Sequence, residues 1–328
     1  MGHRANFIIL QNQGIDIYYS HWGAISIPRD IFYSPEITIN YIKSLKPVET
    51  LLDDIWCEGA VLVDIDQKQL LFWGGDGYEY PALRKYLIGL VQINWEGWGV
   101  RWAEQGIVDI ASYLQIDLST VQTELDSYHW TSYTGYFKKN LEQHIETIVT
   151  VKYNEHLTLD YGFDNYLTEL FSLGFDLFEH LEEWHSIALP PEDKVCSGAY
   201  FNLPSQEIWV WWGRNADYRV IDKIAEYWQN WKIKRHTEGL LFQVELSGRN
   251  EDKIRIDEKK AIKQLIDYVS RENHFHLQQM IDSVLSNYSN QGNIGVWINP
   301  DALEHKRPRI TSSEKQRILK KVLDKVGR

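Results

Sequence analysis

Short apolar runs separated by polar turn residues dominate the N-terminal third of the chain and predict β-strands. Runs at 7–10 and 15–19 flank Asn12-Gln13-Gly14, a pattern typical of a β-hairpin. Two further runs, 60–63 and 69–73, predict a second hairpin. Because every residue from 60 to 63 is apolar, we expect this strand to be buried on both faces, as a central strand is.

Helical spacing follows each predicted hairpin. Ser34-Pro35 combines a helix cap with a proline in the first turn, so we predict a helix that runs to about Leu45. Asp30 lies in the segment before this helix, which we predict to be a loop. Apolar residues at helical spacing within 81–93 predict a second helix, and the alternation along 98–102 predicts a strand after it.

The same order of elements occurs again, because the sequence contains an internal repeat. Residues 57–74 and 196–213 align without a gap and share six of eighteen positions, whereas unrelated segments would share about one. Both copies begin with Cys-x-Gly-Ala and end with Trp-Gly, so we expect these shared residues to be required by the repeat fold. Farther along, Trp95-x-x-Trp98 matches Trp228-x-x-Trp231.

The repeat predicts the fold class and the domain organisation. We expect an α+β protein in which two tandem β-β-α-β-β-α-β repeats form a pseudo-symmetric pair, followed by a helical C-terminal extension. The first helix of the second copy is predicted to be longer, from about residue 165 to residue 184. The predicted parts are a first repeat (1–117), a helical connector (118–145), a second repeat (146–248) and a mostly helical extension (249–328).

The extension differs from the rest of the chain in both pattern and charge. We predict helices at 257–269 and 275–288, a strand at 294–298, and a last helix that begins at the capping box Thr311-x-x-Glu314. From Asp301 onward nine Lys and Arg residues stand against four Asp and Glu residues, a local charge of +5. Either these charges are solvated on an acidic body, or they contact a partner or a nucleic acid.

Composition narrows the classes of function. The net charge of −12 argues against general nucleic-acid binding. No apolar run reaches the roughly 18 residues of a membrane-spanning helix, and no export segment precedes the first strand, so we expect a cytoplasmic protein. Cys57 and Cys196 are too few for a disulfide framework. They are either small buried residues at strand starts or neighbours across a pseudo-two-fold axis.

Known catalytic and cofactor signatures are absent from the sequence. It contains no nucleophile elbow and no phosphate-binding loop. His180-x-x-Glu183, with His185 nearby, and His274-x-His276 contain metal-ligating residue types, but such pairs are common on ordinary helices. We therefore expect neither a metal nor a cofactor.

The first hairpin carries the best candidate site. If Gln11 pairs with Ile15, Ala5 lies opposite His21 and Arg4 opposite Trp22. Imidazole, guanidinium and indole groups then gather at the open end of the hairpin, where they suit an anionic or planar ligand and a histidine can move a proton. The candidate binding residues are His3, Arg4, Asn6, His21, Trp22 and Asp30, the last of which would orient a histidine.

Comparison of the two copies favours a function for this cluster. The alignment places Ile145, Phe163 and Asp164 at the positions of His3, His21 and Trp22, so the repeat fold does not require the cluster. We expect a non-enzymatic binding protein, of an immunity or adaptor type, that recognises a protein partner or a small ligand through the first repeat. The alternative is a small-molecule hydrolase or transferase in which His3, His21 and Glu58 are catalytic. The oligomeric state is left open.

Several segments of the first repeat resemble a family of uncharacterised bacterial proteins. They are Gly-His-Arg-Ala-Asn-Phe (2–7), Tyr-Tyr-Ser-His-Trp-Gly-Ala (18–24), Cys-Glu-Gly-Ala (57–60) and Trp-Glu-Gly-Trp-x-Val-Arg-Trp-Ala (95–103). The resemblance covers residues 2 to about 115. It implies a bacterial cytoplasmic protein and carries no activity with it.

Overall fold

The chain divides into two compact units, neither of which is one continuous segment. The computed structural model describes residues 3–75, 80–124, 145–163, 167–213, 219–271, 300–303 and 306–327. Unit 1 comprises residues 1–75, 90–102 and 263–328, and unit 2 comprises residues 76–89 and 103–262.

Unit 1 contains a six-stranded mixed sheet with the strand order β3-β2-β1-β4-β5-β6. Its strands are β1 (Ala5–Gln11), β2 (Gly14–Ser20), β3 (Lys46–Val48), β4 (Gly59–Asp64), β5 (Gln69–Trp73) and β6 (Gly99–Trp102). The central strands β1 and β4 are parallel. Both predicted hairpins, β1–β2 and β4–β5, are confirmed, and β4 is buried along its whole length, as its unbroken apolar run predicted.

Two helices, α1 (Gly23–Asp30) and α2 (Pro35–Lys43), connect β2 to β3. The cap of α2 is confirmed, since Ser34 Oγ accepts a hydrogen bond from Ile37 N at 3.2 Å. The prediction of a loop at Asp30 is wrong, because Asp30 is the last residue of α1. Pro28 lies inside α1. Proline normally breaks a helix because it lacks an N–H group, and this concealed the helix in the sequence.

The first hairpin turns one residue earlier than predicted. Gln11 pairs with Gly14, and Ala5 therefore faces Ser20 rather than His21. The two turn residues Asn12 and Gln13 both adopt left-handed conformations, with φ of 52° and 64°. This is the conformation that a two-residue type I′ turn requires, and it usually selects glycine at the second turn position. The glycine at position 14 therefore suggested a longer turn.

Unit 2 contains a five-stranded mixed sheet with the order β11-β10-β9-β7-β8. Its strands are β7 (Thr147–Asn154), β8 (Leu157–Phe163), β9 (Ser197–Asn202), β10 (Glu207–Trp212) and β11 (Lys232–Arg235). The predicted α+β class with two similar sheets is confirmed, because each sheet joins two antiparallel hairpins through a parallel pair, β1–β4 in one and β7–β9 in the other.

Eight further helices are described: α3 (Pro81–Asn94), α4 (Ile107–Tyr113), α5 (Leu167–Phe171), α6 (Asp176–Glu182), α7 (Arg219–Tyr227), α8 (Leu240–Leu246), α9 (Glu258–Ser270) and α10 (Ser312–Val326). The helices α4 and α8 were not predicted, because each predicted repeat ends with its last strand. The single long helix predicted at 165–184 is wrong. It is split into α5 and α6 by a turn at Gly174, whose φ is +56°.

The predicted N-cap of the last helix is confirmed, since Thr311 Oγ1 accepts a hydrogen bond from Glu314 N at 3.2 Å. The predicted helix at 275–288, the predicted strand at 294–298 and most of the predicted connector lie outside the described residues. Among the helices that are described, none is long and apolar enough to span a membrane. Cys57 and Cys196 are both buried, and neither is part of a disulfide bond.

The Trp-x-x-Trp match is a true structural repeat. Trp95 and Trp228 are both buried. Trp95 Nε1 donates to the Ile31 carbonyl at 2.7 Å, and Trp228 Nε1 donates to the Phe171 carbonyl at 3.0 Å. In each unit the first tryptophan therefore ties the segment before the last strand of the sheet to the end of the first helix, α1 or α5.

The Cys-x-Gly-Ala match, in contrast, is one residue out of register with the fold. In the β4–β5 turn, Asp64 Oδ1 accepts the N–H of Gln67 at 2.8 Å. In the β9–β10 turn, Asn202 Oδ1 accepts the N–H of Ser205 at 3.3 Å. Asp64 therefore corresponds to Asn202, and counting back along each strand makes Gly59 correspond to Ser197, not to Gly198.

The two glycines consequently face opposite sides of their sheets. A Cβ on Gly59 would lie 2.7 Å from Ile27 Cδ1 of α1. A Cβ on Gly198 would overlap Gln243 of α8, and α8 packs on the face of its sheet opposite to α5 and α6. Because α5 is the counterpart of α1, the shared residues do not occupy equivalent positions. Each glycine is nevertheless needed where it lies, because a Cβ there would come within 3 Å of a helix side chain.

Candidate functional site

Three of the predicted site residues meet at the open end of the first hairpin. The N–H of His3 donates to the His21 carbonyl at 2.9 Å, and the His3 carbonyl accepts from Ala24 N at 2.9 Å. The Trp22 ring lies 4.9 Å from the His21 ring and 6.3 Å from the His3 ring, measured between centroids. These three side chains come together despite the shifted register, because the chain leaves β2 and enters α1 directly at Trp22.

His21 is buried and hydrogen-bonded within this cluster. Its Nδ1 lies 3.0 Å from the hydroxyl of Tyr19. Both residues line a cavity of about 30 Å³ beside the Lys46–Asp301 ion pair, whose N–O distance is 2.8 Å. Burial raises the pKa of Tyr19, and the negative charge of Asp301 raises it further. The cavity is small and lies between a buried imidazole and a surface ion pair.

Arg4 and Glu58 form a second group on the neighbouring strands. Glu58 Oε2 accepts a hydrogen bond from Arg4 N at 2.9 Å and lies 3.6 Å from Arg4 Nε. The Arg4 guanidinium lies over the Trp56 ring, 4.2 Å from its centroid, in cation–π geometry. The Glu58 carboxylate is thus engaged by Arg4 rather than by the imidazole of His3 or His21.

A tight turn before β4 presents two large apolar side chains to solvent. Asp53 Oδ1 accepts the N–H groups of Ile55 and Trp56 at 3.1 and 2.9 Å, and the Asp53 carbonyl accepts the N–H of Cys57 at 2.9 Å. Ile55 is 62% exposed and Trp56 is 52% exposed. We call the group formed by Arg4, Ile55, Trp56 and Glu58 the Trp56 surface.

The sequence prediction missed Ile55 and Trp56, because tryptophan is usually a core residue. A usable signal was present. The second copy has Lys194 and Val195 at the end of the corresponding segment, with no aromatic residue there. The same comparison had singled out His21 and Trp22, and it applied equally to Trp56.

Asn6 and Asp30 lie apart from these groups. Asn6 is fully buried, its Oδ1 accepts from Leu52 N at 2.7 Å, and its Nδ2 donates to the Tyr18 carbonyl at 3.3 Å. Asn6 therefore serves the fold by holding two backbone segments together. Asp30 Oδ2 accepts from Ser26 Oγ at 2.7 Å and lines a different cavity from the one beside His21.

The described residues contain no group of three or more His, Cys, Asp or Glu side chains that could share a metal ion. His180 and Glu183 lie at the C-terminal end of α6, and His274-x-His276 falls outside the described residues. No protein family, curated protein or solved structure that was compared with the chain matches it.

Proposed function

We propose that this chain is a protein-binding protein, of an immunity or adaptor type, whose partner docks on the Trp56 surface in the first repeat. The observation that carries the proposal is the exposure of Ile55 and Trp56 on a turn that Asp53 holds rigid. Large apolar side chains that are adjacent, exposed and fixed are typical of interaction sites. A rigid surface also loses little conformational entropy when it binds.

The composition of the Trp56 surface favours a protein over a small molecule. Tryptophan and arginine are the residues that most often dominate the binding energy of protein interfaces. A small ligand needs a concave site that buries most of its surface, and neither cavity described in unit 1 is lined by Ile55 or Trp56. A protein partner can cover these side chains with a pocket of its own.

Charge around the turn indicates the chemistry of the partner. Asp53, Asp54 and Glu58 place three carboxylates within six residues of the sequence, and Arg4 forms an ion pair with one of them, Glu58. Complementary charges orient partners and speed their association. We therefore infer a partner that offers an apolar pocket bordered by Lys and Arg residues. A cytoplasmic address, as expected from the sequence, fits such a role.

A pair of variants with matched exposure tests the proposal. Proteins that cross-link to the full chain in its source cells would be identified, produced separately and titrated by calorimetry. Trp56→Ala is expected to raise the dissociation constant by about 30-fold or more, as loss of an interface hot spot does. Phe175→Ala is the control, because Phe175 is 53% exposed and lies in unit 2. It should leave binding unchanged.

Two results would contradict the proposal. One is a partner that binds Trp56→Ala as tightly as the wild-type chain. The other is native mass spectrometry that finds a bound metabolite lost on Trp56→Ala substitution and no protein partner.

The alternative of a hydrolase or transferase has less support from the geometry. It requires His3, His21 and Glu58 to act on one substrate, but Glu58 is paired with Arg4. The cavity beside His21 is small, with a volume of about 30 Å³. The enzyme alternative would be favoured if the wild-type chain turned over a substrate and a folded His21→Ala variant did not.

A further inference from the structure

A second and larger cavity in unit 1 is lined mainly by cationic side chains. It has a volume of about 190 Å³ and lies between the end of α1, the end of α9 and the segment that leads into α10. Arg29, Arg271, Arg307 and Lys315 line it, together with Asp30 and Ser312. None of these residues belongs to the Trp56 surface, so the cavity is a separate feature.

Among the described residues that line this cavity, positive charges outnumber negative charges. Asp30 is the one carboxylate among the described lining residues. Within the described part of the chain, no carboxylate oxygen lies within 4.0 Å of a side-chain nitrogen of Arg271, Arg307 or Lys315. With Asp30 ionised the lining carries three positive charges in excess, and with Asp30 neutral it carries four.

Arg29 and Arg307 both line this cavity, and their positive charges repel each other. Burial lowers the pKa of Arg307, and the positive charge of Arg29 lowers it further, while Asp30 raises it. Like charges held in a partly buried space destabilise the fold unless an anion lies between them. Two planar guanidiniums also offer the paired N–H donors that match the oxygens of a phosphate group.

The N-terminus of α10 adds to the positive electrostatic potential in the cavity. Ser312 is the first residue of this fifteen-residue helix and lines the cavity. The N-terminus of an α-helix carries a partial positive charge and favours anions. The helix end and the guanidinium groups therefore attract the same kind of ligand from different sides.

We propose that this cavity binds a phosphate dianion, either as inorganic phosphate or as the phosphate group of a small monoester. Its volume of about 190 Å³ admits a phosphate group together with a small organic group. Inorganic phosphate and glycerol 3-phosphate distinguish the two sources. Tighter binding of glycerol 3-phosphate assigns the monoester, and tighter binding of inorganic phosphate assigns the free ion.

Calorimetric titration of the full chain with inorganic phosphate, at constant ionic strength, tests the proposal. The wild-type chain is expected to bind one phosphate. Arg307→Gln and Lys315→Gln should each raise the dissociation constant by about tenfold or more, since each removes a charge-assisted contact. Lys320→Gln is the control. Lys320 lies exposed on the same helix, and its substitution removes the same positive charge. It should bind phosphate as the wild-type chain does.

Unfolding by denaturant shows whether a variant has lost only the phosphate site or has also lost its fold. Without phosphate, Arg307→Gln should still unfold in a cooperative transition, which establishes that the variant folds. Phosphate should then stabilise the wild-type chain and not the variant. The proposal is overturned if neither phosphate nor glycerol 3-phosphate binds the wild-type chain, or if Lys320→Gln weakens binding as much as Arg307→Gln.

Discussion

Replacement of Asp30 by asparagine should remove a large part of the pH dependence of stability. Asp30 is fully buried, and burial raises its pKa from 3.8 to about 7, while Ser26, Arg29 and Arg307 act in the opposite direction. Asparagine keeps the shape of the side chain and an oxygen that accepts the Ser26 hydroxyl, but it cannot ionise. The substitution therefore isolates the free energy of ionising this one group.

The sign and size of the effect follow from the two pKa values. The folded pKa lies above the unfolded one, so the stability that the protonated carboxyl contributes is fully present below about pH 4 and is lost as pH rises through about 7. One pKa unit corresponds to about 1.4 kcal/mol, so the whole shift amounts to about 4 kcal/mol. Between pH 5 and pH 8 the loss amounts to about 2.5 kcal/mol.

Urea unfolding in a phosphate-free buffer, at about pH 5 and about pH 8, measures this quantity. The free energy of unfolding of Asp30→Asn, relative to wild type, should be higher at the upper pH by about 2.5 kcal/mol. Asp324→Asn removes a carboxylate from the exposed side of α10 and is the control. If Asp30→Asn differs from wild type by the same amount at both pH values, Asp30 is not held as a neutral acid, and the reasoning is refuted.

Three further predictions concern the rest of the fold. Burial lowers the pKa of His236 to about 4. The stability that the neutral imidazole contributes is therefore present above about pH 6.5 and lost as pH falls. In urea unfolding, wild type should lose about 2 kcal/mol more than His236→Phe between about pH 7 and pH 4.5. Trp95→Phe and Trp228→Phe should each cost about 1–3 kcal/mol, because each leaves a carbonyl without its donor; a cost in only one unit would contradict their equivalence. Gly198→Ala should destabilise unit 2 by about 1–3 kcal/mol, and Gln243→Ala should relieve part of this cost in a double-mutant cycle.

Local signals in the sequence predicted the elements whose cause is local. The caps at Ser34 and Thr311 act on N–H groups three residues away, so their effect can be read from a short segment. The apolar run of β4 likewise predicts its own burial. In contrast, α1 forms in spite of Pro28, because Ala24 and Ile27 pack closely on Gly59 of β4, and no local pattern shows that contact.

The candidate site was predictable only in part. His3, His21 and Trp22 are brought together by one hairpin and the turn after it, so sequence proximity was a sufficient guide. The cationic cavity was not predictable, because Arg29 and Arg307 come from distant parts of the chain. Only the tertiary structure places them beside each other.

Unit 1 contains residues from before and after unit 2 in the sequence, and this affects the order in which the two units can fold during synthesis. Unit 2 ends at residue 262, whereas unit 1 needs residues from 263 onward. During synthesis, the first hairpin therefore leaves the ribosome early but waits for α10, while unit 2 is already complete. Since compact units fold as they emerge, unit 1 is expected to mature after unit 2, and its cationic cavity forms only once Arg307 and Lys315 have been made.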